Sequence, residues 1–330
     1  MDDLKEPVAR AAQPGARPRR SRLRVLLYVL AGAVLLALVV VGTAAYRGTP
    51  RVAIDEATVI DSVMAATYGS YSTEKKGWLY TGDDNVTYLM RVVQQEKITD
   101  GADGDELYFV ASGAAVDGSE HAVYGAFHLH PARPWDGNLA QASLQVKYES
   151  TLAVRPEQVR FLVLGANLRG WIVQAQSGTD PAQAPVTTTN TVLAPHGGEI
   201  AVLGEFLAAR TARPAVSCEA AKAAWETWNR DTTPDADNAA DNAAANDAAN
   251  DAANHAASDD TEEEEEEEPL RCEQRSWSYR LAASDGMLPA PITVTAGGTL
   301  DGRPVEAHTW ALTFDPKRFG YAIPRELRDE

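Results

Sequence analysis

A run of 22 consecutive uncharged residues, Val25 to Tyr46, is the strongest constraint in this sequence. A helix rises about 1.5 Å per residue, so this run would extend roughly 33 Å, against about 30 Å of bilayer hydrocarbon. We therefore predict one transmembrane signal-anchor helix over residues 25–46, preceded by a basic tail over residues 1–24. All of the chain after the helix would then lie on one side of a membrane.

The charges that flank this run predict its orientation. Residues 5–24 carry seven Lys or Arg, whereas residues 47–66 carry two. By the positive-inside rule the N-terminus is cytoplasmic and the bulk of the chain is extracytoplasmic, that is, periplasmic beside a bacterial inner membrane. The alternative is a cleaved signal peptide, because Thr43-Ala44-Ala45 resembles a cleavage site. The apolar core of a signal peptide is shorter, however, at about 7–15 residues.

The acidity of the chain is concentrated in one segment. The formal charge is −17, and residues 231–268 contain eight Asp, seven Glu and no Lys or Arg, which gives −15. This segment also lacks aromatic residues, Val, Leu, Ile and Met, so it has no apolar surface whose burial could offset the entropy lost on ordering. We predict a disordered acidic insertion over residues 229–268. A calcium loop is the less favoured alternative, since the segment has no Gly for the sharp turn.

The two cysteines of the chain, Cys218 and Cys272, lie on either side of this insertion. Thiols tend to be oxidised outside the cytoplasm, so we predict a disulfide that joins the two ends of the insertion. Two buried free thiols are the alternative.

The remaining sequence, residues 47–228 and 269–330, is predicted to be mainly β. Short apolar or alternating runs recur about every ten residues between Gly-rich breaks, a pattern typical of a sandwich or a barrel. Two short helices are expected, over residues 52–68 and 218–228. The C-terminal segment would either complete the first domain or form a second unit.

An internal similarity raises the hypothesis of two related β units. Residues 109–118 read FVASGAAVDG and residues 293–302 read TVTAGGTLDG. Farther along, residues 126–133 parallel residues 311–318 if one residue is gapped. Each copy describes a strand, an Asp-Gly hairpin turn and a return strand. An ordinary β-meander could produce the same pattern.

Residues typical of catalytic or metal sites are few. His128 and His130 alternate along one predicted strand and so face the same side, which makes them weak metal candidates without a nearby third ligand. Ser72 and Lys75 match S-x-x-K, but the companion motifs of acylating enzymes are missing, so a polar turn is favoured. The acidic residues between 100 and 106 lack the calcium-loop order. We therefore predict no catalytic residues and no cofactor.

These observations favour a single-pass membrane protein whose non-enzymatic β domain binds or scaffolds a cell-envelope component. The expected partners are the membrane, through residues 25–46, and an envelope protein or glycan. No basic patch suggests nucleic acid. The alternative is an envelope hydrolase or transferase whose active site is assembled from residues distant in sequence. A concave pocket that gathers His128 and His130 with acidic groups would favour that alternative.

Overall fold

Two units divide the chain, residues 1–51 and residues 52–330, and the second is called the β unit below. The computed structural model describes residues 34–36, 52–99, 101, 104–133, 137–232, 269–283 and 286–328. Among these residues no helix is long and apolar enough to cross a membrane. The predicted anchor lies outside the described residues except for Val34–Leu36, which are helical.

The β unit is mainly β, as the sequence predicts, with two α-helices. Helix α1 spans Glu56–Tyr68 and helix α2 spans Cys218–Thr232, four residues beyond the end expected at Trp228. The strands before α2 are β1 (Tyr71–Ser72), β2 (Gly77–Thr81), β3 (Thr87–Ile98), β4 (Glu106–Ala115), β5 (Ala122–Pro131), β6 (Leu139–Ser150), β7 (Val159–Gly165), β8 (Leu168–Ser177), β9 (Val186–His196) and β10 (Glu199–Ala212). Those after it are β11 (Glu273–Leu281), β12 (Ile292–Leu300), β13 (Arg303–Pro304), β14 (Thr309–Leu312), β15 (Phe314–Asp315) and β16 (Gly320–Tyr321), and short 3-10 helices cover Pro156–Gln158 and Arg325–Leu327.

Fourteen of these strands form one curled sheet built from two antiparallel meanders. Strands β1 to β6 make the first, and β7 to β12 with β13 and β14 make the second. A single parallel pair, Ser143 with Glu199, joins β6 to β10. The second meander curls until β7 meets the β11–β12 connection, where Ala166 N donates to Gly286 O at 2.9 Å and Ala290 N donates to Leu164 O at 2.8 Å.

Three apolar clusters fill the layers that this arrangement creates. Helix α1 packs its buried side, including Met64 and Tyr68, on one face of the first meander. The other face packs against the second meander, where Tyr108 and Trp171 meet. The third cluster lies inside the curl of the second meander and includes Leu327 from the C-terminal segment.

Alternating strand directions give the β unit two ends. The entry end carries the connections β3–β4, β5–β6, β7–β8, β9–β10 and β11–β12. The chain arrives there, because Val52 forms a parallel bridge with Gly104 in the β3–β4 connection. The insertion end carries the connections β4–β5, β6–β7, β8–β9 and β10–β11, and the last of these contains α2 and the acidic segment. Residues 233–268 of that segment lie outside the described residues.

The two hairpins with internal similarity share one pairing register. Val110 of β4 faces Ala126 of β5, and the corresponding Val294 of β12 faces Trp310 of β14. Both turns end on a glycine with positive φ, +82° at Gly118 and +73° at Gly302, a conformation that favours glycine. The equivalent of Ala126 is therefore Trp310 rather than Ala311, so the one-residue gap suggested by the sequence is not needed.

Candidate functional site

The two histidines singled out in the sequence, His128 and His130, line one small pocket at the entry end. Its volume is about 210 Å³, and its walls also include Glu106, Tyr108 and Arg169. The histidine rings are stacked with their centroids 5.1 Å apart, as expected for alternate residues on one face of a strand. The pocket lies at the junction of the two meanders, since Arg169 belongs to β8 and the other four belong to β4 and β5.

Glu106 is the centre of the hydrogen bonds in this pocket. His128 Nε2 donates to Glu106 Oε2 at 3.2 Å, and Tyr108 Oη donates to the same oxygen at 2.7 Å. His130 Nδ1 lies 3.0 Å from the Pro131 carbonyl oxygen, which can only accept, so Nδ1 carries the proton. His128 is itself only 8% exposed and stacks on the Tyr108 ring at 4.2 Å between centroids.

These contacts shift two pKa values in opposite directions. The hydrogen bond from His128, supported by that from Tyr108, lowers the pKa of Glu106 from its ordinary 4.5 to about 2. Burial, followed by the hydrogen bond to Glu106, raises the pKa of Tyr108 well above its ordinary value. The pocket therefore holds a firmly ionised carboxylate beside a neutral phenol.

A carboxylate in this state is a poor general base. An efficient proton acceptor has a pKa near the working pH, whereas that of Glu106 lies several units below neutrality. Among the described residues that line the pocket none is Ser, Thr, Cys or Lys, so no side-chain nucleophile of those kinds stands beside the histidines. No group of three or more metal-ligating side chains is placed to hold a metal ion anywhere in the described part of the chain.

We expect Glu106→Gln to flatten the acid dependence of stability. Because the folded-state pKa lies below the unfolded one, the native carboxylate contributes stability that is complete above about pH 4.5 and is lost as the pH falls toward about 2. Partial exposure screens the interaction, so the expected contribution is about 1–2 kcal/mol. Urea unfolding of the wild-type protein and of Glu106→Gln at pH 7 and at pH 3 measures this contribution. His128→Phe removes the main hydrogen-bond donor to Glu106, so it should also weaken the fall in stability at acid pH. In the double variant the pH dependence of stability should be close to that of Glu106→Gln alone.

The sequence placed Glu106 only in an acidic loop, away from the histidines, and did not single out Tyr108, although a signal for their position exists. A hairpin centred on the Asp117-Gly118 turn brings Tyr108 opposite His128, and that pair is formed. Glu106 lies two residues before Tyr108, on the same face of the strand. Centring the hairpin on its turn would therefore have brought both residues to the histidines.

The other polar sites suggested by the sequence have simple surroundings. Ser72 Oγ accepts a hydrogen bond from the backbone N–H of Lys75 at 3.2 Å, which is a polar turn. Asp105 forms an ion pair with Lys97 at 3.1 Å and accepts from Ile54 N at 3.2 Å. Asp100 and Asp103 of the same acidic loop lie outside the described residues.

A disulfide joins Cys218 and Cys272, as predicted, with the two Cα atoms 5.3 Å apart. It connects the first residue of α2 to the residue before β11. Arg271 strengthens the junction, because its guanidinium lies 4.4 Å from the centre of the Trp225 ring and pairs with Asp301. The ends of the acidic segment are thus fixed to each other at the insertion end of the β unit.

A larger groove, of about 810 Å³, opens toward the insertion end. Its floor comes from alternate residues of β6, β8 and β9, and β10 and the C-terminal segment form a wall. Lys147 of β6 and Glu205 of β10 form an ion pair of 2.9 Å between the two meanders, and Thr191 donates to the same carboxylate at 3.1 Å. Val202 and Tyr148 remain 42% and 38% exposed within it. The groove therefore combines apolar, aromatic, hydroxyl and carboxylate groups.

The chain matches no protein-family model, no curated protein and no solved structure.

Proposed function

We propose that this protein is a single-pass, non-enzymatic membrane protein whose β unit binds or scaffolds a cell-envelope component on the extracytoplasmic side. The basic bias before residue 25 supports the orientation. The disulfide supports an oxidising compartment, because such bonds are rare in the cytoplasm. In this proposal the host is a bacterium and the anchor is the inner-membrane helix over residues 25–46.

The groove is the observation on which the binding role rests. Its volume lies in the range of ligand sites, and its walls come from both meanders and from the C-terminal segment. Exposed apolar and aromatic side chains beside hydroxyl groups can contact either the side chains of an envelope protein or the sugar faces of a glycan. We therefore place the partner in the groove, near Val202 and Tyr148.

The second candidate is an envelope hydrolase or transferase, and the pocket at His128 favours it. That pocket brings two histidines and an acidic group together, which is the arrangement the enzyme alternative requires. We rank it second, because Glu106 is a weak base and none of the described lining residues is one of the usual side-chain nucleophiles. A site of this kind would need a nucleophile from the substrate or from water.

We further propose that the β unit arose from two related parts. The first contains the β4–β5 hairpin and the second contains the β12–β14 hairpin, with α2 and the acidic insertion as the connector between them. The shared hairpin register and the two glycine turns support this relationship.

Site-specific photo-crosslinking tests the binding role. Val202→p-benzoylphenylalanine in the full-length chain, expressed in cells, should give a covalent adduct, because this residue is exposed in the groove. Mass spectrometry identifies a protein partner, and digestion with a muramidase reveals a glycan. Val216→p-benzoylphenylalanine is the matched control, since Val216 is a valine of similar exposure, 57%, between β10 and α2 and outside the groove. Absence of adducts at Val202, or equal labelling at both positions, would contradict the groove as the binding site.

A further inference from the structure

The β11–β12 connection presents two adjacent large apolar side chains to solvent. Met287 is 84% exposed, the highest value of any large apolar residue in the described part of the chain, and Leu288 is 55% exposed. Val163 of β7, also 55% exposed, is close in sequence to the residues that hold this connection. Isolated exposed apolar residues are common, whereas two adjacent ones at a loop tip form a small apolar patch that is available to a partner surface.

The backbone of this tip is fixed rather than loose. Gly286 and Ala290, on either side of the apolar pair, form the two hydrogen bonds to Ala166 and Leu164 that close the curl of the second meander. Gly165 packs closely as well, since a methyl group on it would lie 3.1 Å from the Leu288 carbonyl oxygen. The described part of the fold therefore holds Met287 outward at 84% exposure and Leu288 at 55% exposure.

The position of the tip indicates what could cover it. It lies at the entry end of the β unit, where the chain arrives at Val52. Five residues, 47–51, separate Val52 from the predicted anchor, and an extended chain of that length spans at most about 20 Å. An anchored β unit thus has its entry end close to the bilayer surface.

The charge distribution fits the same orientation. The acidic segment, with a net charge of −15, leaves and re-enters the fold at the opposite end. Among the described residues, the entry end carries the exposed cations Arg133, Lys317 and Arg318 together with the carboxylates Asp55, Asp105, Glu199 and Asp315. Lys317 and Arg318 lie at this end because Phe319 stacks on His196, the last residue of β9, with 3.6 Å between ring centroids. Anionic headgroups would repel the insertion end far more than the entry end.

We propose that Met287 and Leu288 insert into the interfacial region of the bilayer that anchors the chain. This inference rests on the proposed membrane anchor. Two side chains alone hold a protein on a membrane only weakly, but the anchor makes the contact intramolecular and so raises its effective concentration. The contact orients the β unit with its groove and its acidic segment away from the membrane, toward the envelope partner.

Fluorescence in vesicles tests the insertion. The full-length chain carrying Met287→Cys, labelled with the environment-sensitive dye NBD, is reconstituted into vesicles of three parts phosphatidylethanolamine to one part phosphatidylglycerol. The native cysteines are joined in a disulfide and do not react with the label. We expect the emission to shift to shorter wavelength and to lose most of its intensity when the lipids carry a doxyl quencher. Adding Leu288→Asp should reduce both effects.

Val216→Cys provides the matched control, because Val216 is 57% exposed between β10 and α2 at the insertion end. Its label should keep a water-like emission and escape quenching. A water-like emission at position 287, in protein that floats with the vesicles, would overturn the insertion and leave the anchor intact. A short-wavelength emission without quenching would also overturn it, since a protein surface would then cover the tip. Protein that fails to float with the vesicles would remove the anchor and the inference together.

Discussion

Trp171→Ala should destabilise the β unit by about 3–5 kcal/mol, the usual cost of removing a large buried aromatic side chain. Trp171 is fully buried where the two meanders pack together. Its ring lies 5.5 Å from that of Tyr108 in the first meander, and its Nε1 donates to Gln94 Oε1 at 3.2 Å. The substitution removes both contacts and leaves a cavity at the junction. Urea unfolding monitored by circular dichroism measures the loss.

Two further variants separate the packing of Trp171 from its hydrogen bond and from the mere loss of an aromatic ring. Trp171→Phe keeps most of the ring volume and loses the donor to Gln94, so it should lower the free energy of unfolding by about 1–2 kcal/mol. Tyr71→Ala removes an aromatic residue that is 49% exposed, and it should cost much less than Trp171→Ala. Equal effects of Trp171→Ala and Tyr71→Ala would show that the two meanders do not depend on this junction.

Local patterns predicted most of the secondary structure of the β unit. Apolar periodicity indicated a helix over residues 52–68, and α1 covers Glu56–Tyr68. The hairpin turns followed from Asp117-Gly118 and from the corresponding pair before Arg303, because glycine accepts the positive φ that such turns need. These features depend on neighbouring residues and can therefore be read from the sequence.

The contacts between distant segments could not be derived in the same way. One parallel pair, Ser143 with Glu199, joins the meanders, and no turn or periodicity marks it. The approach of β7 to the β11–β12 connection depends on how far the second meander curls, which is the sum of many small strand twists. The groove and the exposed tip at Met287 both result from this long-range geometry, so the sequence did not indicate them.

The pocket at His128 could be predicted in part from the sequence. Alternation along β5 placed His128 and His130 on one side, and their stacked rings confirm it. The partners of His128 come from β4, whose register depends on the hairpin turn, and Arg169 comes from the second meander. The alternation of side chains along a strand thus predicted that the two histidines share a face. Their partners in the pocket follow only from the pairing of the strands and from the packing of the two meanders.

Cys218→Ser should lower the free energy of unfolding of the β unit by about 4 kcal/mol. The native bridge closes a loop with a sequence separation of 54 residues. Chain-entropy reasoning gives about 4 kcal/mol for a loop of that length, because the bridge restricts the unfolded chain. The variant should also leave Cys272 reactive toward a thiol probe, whereas neither cysteine of the unreduced native protein should react.

Shortening the insertion distinguishes this entropic origin from local packing around the bridge. Deleting residues 233–267 reduces the closed loop to about 20 residues, so breaking the bridge should then cost about 1 kcal/mol less than in the full chain. The deletion removes residues with no large apolar side chain, so the melting temperature of the oxidised protein should change little. An unchanged cost of Cys218→Ser in the shortened chain would instead assign the stabilisation to contacts of the folded ends, such as that between Arg271 and Trp225. A large fall in the melting temperature would mean that the acidic segment packs against the fold.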